Sequence, residues 1–295
     1  MNITQETPSV VCSVLIPAYN ASLTIKETLS SVQNQNLSQP YEIIVCDDCS
    51  TDDTFFVIAA IAKDDRRVKI YRNTENRGVS YTRNRMLDLA KGEYVAFLDA
   101  DDVFLPDKLS RSLEALHASN SSLLFHGLGY LKAHGRVSGN IGASEFLPAT
   151  LLKRAAIGEI RFKTGLAVGE DTDFFRQIKN PSNSVRIDDV LTAIRIRPGS
   201  LTDRDWLQKR VVEYWHSAHG SEDLAPDSIE GYMGYFKTLS IAKRINLYRL
   251  WLGQKFGRIG AGYLFSERRL FAAGYLSLSG LLNPAYLLQR LANNR

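Results

Sequence analysis

Cysteine is scarce in this sequence. There are three, Cys12, Cys46 and Cys49, an odd number without the spacing of a disulfide framework or a zinc site. That excludes the disulfide-stapled classes and fits a reducing compartment. Cys46 lies in an apolar run and reads as a small buried residue. The five histidines show no metal-ligand spacing. No apolar run reaches 18 residues; the nearest, Leu270 to Leu288, is broken by Ser277, Ser279, Asn283 and Pro284. A membrane-spanning helix is therefore not expected. Met1 to Ser9 is polar and lacks the apolar core of a secretion signal. No Gly-x-Gly-x-x-Gly follows the first apolar run, which makes a dinucleotide-dependent oxidoreductase a poor fit. Repeats and low-complexity tracts are also missing.

What is present is enough for a sizeable core: 295 residues, 44% of them hydrophobic. The net charge of +4 hides a split. From Lys237 to Arg295 there are ten lysines and arginines against one acid, Glu267, a net +9, which leaves −5 for the rest. A basic tail of this kind suggests an anionic partner.

The first hundred residues alternate strand and helix. Val11-Cys12-Ser13-Val14-Leu15-Ile16 ends at Pro17 and reads as a buried strand. Asn20 or Ser22 is placed to cap a helix running to about Asn34. Tyr41 to Cys46 is a second strand, ending at Asp47-Asp48. Ser50 or Thr51 is expected to cap the next helix, with Asp52 and Asp53 in its first turn. Val68 to Tyr71 is a third strand. A helix follows Gly78 and is expected to stop at Gly92, a C-terminal glycine. Glu93 to Leu98 is the fourth strand. This alternation implies a doubly wound, mostly parallel α/β sheet. Leu123 to Leu131 and Val185 to Arg197 read as strands of a mixed region, and Asp203 to His219 as a helix. From about Ala225 the chain is helical and basic. Ile241, Ile245, Tyr248, Leu252, Phe256 and Ile259 are expected to share one apolar face. The expected boundary lies near residue 220, with a domain over 1–220 and an amphipathic helical region over 221–295.

The most informative segment is Phe97-Leu98-Asp99-Ala100-Asp101-Asp102. It sets three carboxylates at the carboxyl end of a buried strand, where open α/β sheets bind ligands. Clustered carboxylates repel unless a cation or donors compensate them. Mg²⁺ or Mn²⁺ suits the arrangement, since such ions keep some waters and take further ligands from substrate phosphates. The plainer reading is an acidic turn that caps the helix beginning near Pro106.

Several motifs in order carry a family resemblance. Val14-Leu15-Ile16-Pro17-Ala18-Tyr19-Asn20 is followed by Val45-Cys46-Asp47-Asp48-Cys49-Ser50-Thr51-Asp52. Next come Asn76-Arg77-Gly78-Val79-Ser80, Arg83-Asn84, and Gly92 through Asp102. Gly169-Glu170-Asp171 closes the series. Together they resemble the family 2 glycosyltransferases, densely over residues 10 to 110 and more thinly to about 205. Within that family the chain looks most like bacterial exopolysaccharide enzymes of the succinoglycan type. The resemblance implies a GT-A fold, a nucleotide-sugar donor and inversion at the anomeric carbon.

It also implies roles, each beside a structural alternative. Asp48 accepts the uracil N3–H, or caps a helix with Asp47; Pro17 and Tyr19 border the base. Cys49 stands where a glycine is common. Arg83 donates to the base or the diphosphate, or is a solvated helix arginine. Asp101 holds the divalent metal, with Asp99 toward the ribose or the metal shell and Asp102 orienting the loop. Asp171 is the base that deprotonates the acceptor hydroxyl, or simply an acid at a helix N-terminus; Glu170 and Asp173 bind acceptor hydroxyls or cap. Arg197, within Arg195-Ile196-Arg197-Pro198-Gly199-Ser200, stands where many relatives carry a metal-reaching His. Arginine cannot ligate a cation, but it can contact the diphosphate.

The expectation is thus a metal-dependent inverting transferase. It moves a sugar from a UDP-sugar to a lipid-linked oligosaccharide at the cytoplasmic membrane surface. The basic tail either binds anionic lipid or packs as a cap or dimer contact. Nucleic-acid binding is not expected, since the tail has charge but no recognised module. The rival from another class is a non-catalytic nucleotide-sugar-binding scaffold of a polysaccharide assembly complex.

Overall fold

The computed structural model describes residues 10–131, 135–139, 142–143, 145–166, 169–178, 183–195, 206–219, 226, 228–265 and 269–285. They divide into two compact units. The first comprises Met1–Gly129, Gly142–Phe162 and Phe175–Ile194; the second comprises Tyr130–Ile141, Lys163–Phe174 and Arg195–Arg295.

The first unit opens with β1 (Cys12–Ala18), α1 (Ile25–Gln33), β2 (Tyr41–Asp47), α2 (Thr54–Asp64), β3 (Val68–Arg72), α3 (Val79–Leu89) and β4 (Tyr94–Phe97). These four strands lie parallel in the order β3-β2-β1-β4. Strands buried on both faces read as unbroken apolar runs, and β2 is buried at every position. Cys12, Val14 and Ile16 of β1 join Ile25, Leu29 and Val32 of α1 in one core cluster. Helix α3 packs on β1 and β2, and its Met86 and Leu87 lie outside that cluster. Right-handed crossovers put α3 on the opposite face.

The sheet then turns mixed. After β5 (Val103–Phe104), α4 (Lys108–Ser119), β6 (Leu123–Leu131) and β7 (Val137–Ser138) come β8 (Thr150–Lys153) and α5 (Arg154–Ile157). Helix α6 (Glu170–Ile178) and β9 (Ser184–Arg195) follow. The order continues β4-β8-β6-β9-β5, with β8 antiparallel to β4 and β6, and β5 antiparallel to β9. Leu109, Leu113 and Leu116 of α4 complete the core cluster.

Several sequence expectations shift. Helix α1 begins at Ile25, not after Asn20 or Ser22, because Asn20 takes a left-handed backbone (φ 49). Its side-chain carbonyl accepts the Thr51 N–H at 2.9 Å instead of capping α1. Helix α2 begins at Thr54, after Asp52 and Asp53. Helix α3 ends at Leu89, before Gly92. Gly92 is needed for a close approach: a Cβ there would sit 2.5 Å from the Ser13 nitrogen. Strand β6 matches its expected span; β9 starts at Ser184, and residues 196–197 of its expected end lie outside the described residues.

The second unit contains α7 (Trp206–His219), α8 (Ile229–Thr238), α9 (Ile241–Phe265) and α10 (Arg269–Leu282). Its core gathers Leu166, Val211, Val212, Trp215, Tyr232, Phe236, Leu239 and Leu247. The single apolar face expected from Ile241 to Ile259 divides in two. Ile241, Ile245 and Tyr248 are exposed. Leu252 and Phe256 are half-buried, with the Phe256 ring 6.0 Å from Tyr275 of α10. The side chain of Ile259 lies outside the described residues. Among the described residues no helix is long and apolar enough to cross a membrane.

Candidate functional site

The loops at the carboxyl ends of β1, β2 and β4 bring the first group of predicted residues together. Pro17 is half-buried within β1, and Tyr19 just beyond it is 48% exposed. Beside them β2 ends in two buried aspartates with different tasks. Asp47 pairs with Arg72 at 3.0 Å and accepts the Ser50 N–H. Asp48 accepts the Asn73 side-chain amide at 2.6 Å, the Arg77 N–H at 2.9 Å and the Gly78 N–H at 2.8 Å. Its carboxylate therefore ties the β2 loop to the start of α3.

The same loop explains two oddities of the sequence. Cys49 adopts φ 60, the left-handed conformation that glycine takes without steric cost. Asp52 accepts the Thr54 and Ser22 N–H groups and the Thr54 hydroxyl. Burial opposes its ionisation, but the Thr54 and Ser22 hydrogen bonds outweigh it and hold the carboxyl down at about 2. The two remaining thiols are inert packing. Burial pushes Cys12 up to about 12 and Cys46 up to about 11.

Arg83 is not a solvated helix arginine. It is 5% exposed and donates to Asp99 at 2.9 Å, with its guanidinium 5.6 Å from the Phe162 ring centroid. Asp99 is half-exposed, Asp101 half-buried and Asp102 buried, the last donating its N–H to the Asp99 carbonyl at 3.0 Å. Asp102 thus closes the turn that presents the other two. Among the described residues no three acidic, histidine or cysteine side chains form a cage that could hold a metal ion. The donor set fits a hard ion held by one or two carboxylates and completed by phosphates and water. Asp101 and Asp99 are the residues available for it.

The second acidic motif belongs to the second unit. Gly169 (φ 86) leads into α6, where an added Cβ would lie 3.1 Å from Val212. Glu170, Asp171 and Asp173 occupy the first turn, the favourable end for negative charge. Asp171 is half-buried and accepts the Thr172 N–H at 2.8 Å. Asp173 is buried and pairs with Lys163 at 3.0 Å. Arg197 lies outside the described residues.

Two groups escaped the sequence reading. Asn73 is buried immediately after β3 and touches Asp48; a polar residue at the carboxyl end of a strand in an open sheet was the available signal. Lys108 is fully buried in α4, and nothing in its amphipathic pattern marks it.

Comparison with known proteins fits this geometry. Residues 13–137 match the model of the glycosyl transferase family 2. The chain is 40% identical over 124 residues to the putative teichuronic acid biosynthesis glycosyltransferase TuaG of Bacillus subtilis, covering 42% of this chain and 48% of that protein. It is 32% identical over 146 residues to an Escherichia coli protein, covering 50% of this chain and 56% of that one. That protein is the UDP-Glc:alpha-D-GlcNAc-diphosphoundecaprenol beta-1,3-glucosyltransferase WfgD. The chain thus spans about half the length of the curated relatives it matches. Among solved structures, S. aureus TarS 1-349 in complex with UDP superposes with a TM-score of 0.56 at 19% identity, covering 94% of this chain and 91% of that one. The mannosyltransferase PcManGT of Pyrobaculum calidifontis, in complex with GDP-Man and Mn²⁺, gives 0.55 at 17%, covering 97% and 82%. These likenesses establish the GT-A fold. Over residues 13–137 the chain is similar to the family 2 glycosyl transferases.

Proposed function

We propose that this protein is a metal-dependent inverting glycosyltransferase. It transfers a sugar from a UDP-sugar to a hydroxyl of a lipid-linked oligosaccharide in bacterial cell-surface polysaccharide synthesis. The observation that carries the reading is the buried Arg83 paired with Asp99 in the turn that also presents Asp101. The pair places a fixed guanidinium among carboxylates at the ligand end of the sheet. Arg83 suits the diphosphate, Asp48 and Tyr19 the base beside Pro17, and Asp101 with Asp99 the divalent ion. When bound, Mn²⁺ or Mg²⁺ neutralises charge developing on the departing diphosphate. Glu170 binds an acceptor hydroxyl, Asp171 takes its proton, and Arg197 contacts the diphosphate. The names of WfgD, for UDP-glucose and a diphosphoundecaprenol acceptor, and of PcManGT, for Mn²⁺, support the donor, acceptor and metal classes.

Purified protein with Mn²⁺ is expected to release UDP slowly from a UDP-sugar and to bind UDP in a metal-dependent way. Asp101→Asn should abolish both while leaving the thermal unfolding midpoint unchanged. Equal UDP affinity in the variant, with and without Mn²⁺, moves the metal elsewhere. If no UDP-sugar in a panel is turned over, a non-catalytic scaffold becomes the better reading.

The basic second unit supplies the localisation: peripheral attachment to the anionic inner face of the cytoplasmic membrane. Its support is the open stripe of Ile241, Ile245 and Tyr248, with Lys237, Lys243 and Arg249 exposed nearby. Each basic residue near such a surface contributes about 1 kcal/mol, and salt screens it. Co-sedimentation with anionic vesicles is therefore expected at low salt, falling as salt rises and weakening in an Ile241→Ser/Ile245→Ser variant. No binding to anionic vesicles at low salt makes this surface a cap or a dimer contact.

A further inference from the structure

We propose that Asn73 is a positioning residue that lets Asp48 select uracil over cytosine in the donor. This rests on the reading above, in which Asp48 accepts the N3–H of the base. Uracil carries a hydrogen on N3; cytosine presents a lone pair there. A carboxylate held at that edge attracts the first and repels the second, so its placement decides the choice.

The placement is built from three donors. An ionised carboxylate offers roughly four acceptor positions. Arg77 N–H and the Asn73 amide occupy Oδ1 of Asp48, and Gly78 N–H occupies Oδ2. That leaves one position, on Oδ2, for a ligand. Two of the donors are backbone groups, which only a proline substitution would remove. Asn73 is the one side chain among them, and it is 5% exposed.

Its amide cannot turn over. Nδ2 donates to Asp48 at 2.6 Å and to the Thr82 hydroxyl at 3.0 Å. Oδ1 accepts from Arg85 at 2.6 Å and from the Cys46 thiol at 3.7 Å. A flipped amide would set oxygen against the Asp48 carboxylate and NH₂ against the guanidinium, two repulsive contacts in place of two attractive ones. Arg85 is itself anchored on the Arg72 carbonyl at 2.8 Å, at the end of β3. The sheet thus fixes Arg85, Arg85 orients Asn73, and Asn73 holds the Oδ1 side of Asp48.

Calorimetry with UDP, CDP and pyrophosphate, all with Mn²⁺, tests this on the full chain. The native protein is expected to prefer UDP over CDP by more than about tenfold. Asp48→Asn should erase that preference, which checks the underlying reading on its own. Asn73→Leu should shrink it to within about threefold, with pyrophosphate affinity unchanged. Asn73→Asp supplies a second measurement that does not need the apolar variant to fold. Two adjacent carboxylates share a proton as pH falls, and the protonated one can then donate as the amide does. Its UDP preference should be weak at pH 8 and recover toward pH 6, above the range in which cytosine N3 itself takes a proton, while the native protein stays flat. If Asp48→Asn loses the preference and both Asn73 variants keep it at every pH, the positioning role is overturned and the Asp48 reading stands. If Asp48→Asn keeps it, that reading fails, and the inference with it. Equal weakening of all three ligands in both Asn73 variants, without pH recovery, makes Asn73 merely structural and also overturns the proposal.

Discussion

Asp171→Asn is expected to lower sugar transfer by roughly 10² to 10⁴, the usual cost of losing a general base. The variant keeps nearly the same shape. Its side-chain carbonyl can still accept the Thr172 N–H that Asp171 accepts at 2.8 Å, so the first turn of α6 should persist. UDP affinity should stay within about twofold, because the groups assigned to base, diphosphate and metal are Asp48, Arg83, Asp99 and Asp101. The contrast is Asp173→Asn. That residue is buried against Lys163 at 3.0 Å, so its loss should appear in the unfolding midpoint more than in the rate. A steady-state assay with a UDP-sugar and a lipid-diphosphate acceptor separates the two. Near-normal transfer by Asp171→Asn would move the proton to Glu170 or another group.

The strands were legible because burial on both faces writes itself as an apolar run. Tyr41 to Cys46 and Leu123 to Leu131 emerge with boundaries that differ from the structure by at most one residue. The helix starts were less legible. Asn20 and Cys49 both enter left-handed backbone, the Ser50 hydroxyl accepts the Asn20 N–H, and Thr51 donates to the Asn20 side-chain carbonyl. Neither event leaves a local signature, because the partners lie 30 and 31 residues away. Strand β5, two residues long, and strand β8, four residues long, exist through their pairing with β9, β4 and β6. No window of sequence that short carries a period.

The candidate site's carboxylates could be picked out as residues, but their arrangement could not. The carboxylates stood out because they end apolar runs. The union of Arg83 with Asp99 depends on where a helix arginine on the far side of a crossover comes to rest. Periodicity alone made Arg83 look solvated as readily as buried. Asn73 was silent for a related reason: asparagine after a strand is ordinary turn chemistry. Only the hydrogen bonds to Asp48, Thr82 and Arg85 distinguish it.

Lys108→Met is expected to stabilise the protein, most strongly at and below neutral pH. Lys108 is completely buried, with Nζ 2.6 Å from the Thr150 carbonyl and 4.8 Å from the centroid of the Phe104 ring. The titratable groups facing it are Cys12 on β1 and His126 on β6. Neither supplies a counter-charge: burial pushes the thiol up to about 12 and, with Lys108 adding to it, the imidazole down to about 3. Burial accordingly pulls the Lys108 amine down to about 7 from 10.5. The folded state therefore binds fewer protons than the unfolded state between those two values, and stability rises with pH across that interval. Below about pH 7 both states are protonated and the full penalty applies, on the order of 4 kcal/mol. Methionine fills similar space without a charge. It leaves the Thr150 carbonyl without this donor, a loss of about 1–3 kcal/mol, so a net gain of about 1–3 kcal/mol is expected at pH 7. Urea denaturation of both proteins from pH 6 to pH 10.5 measures it. The gain should shrink with rising pH and reverse near pH 10, where a neutral amine donates to Thr150 without penalty. A difference that stays constant across the series would mean that Lys108 keeps its proton in the folded core.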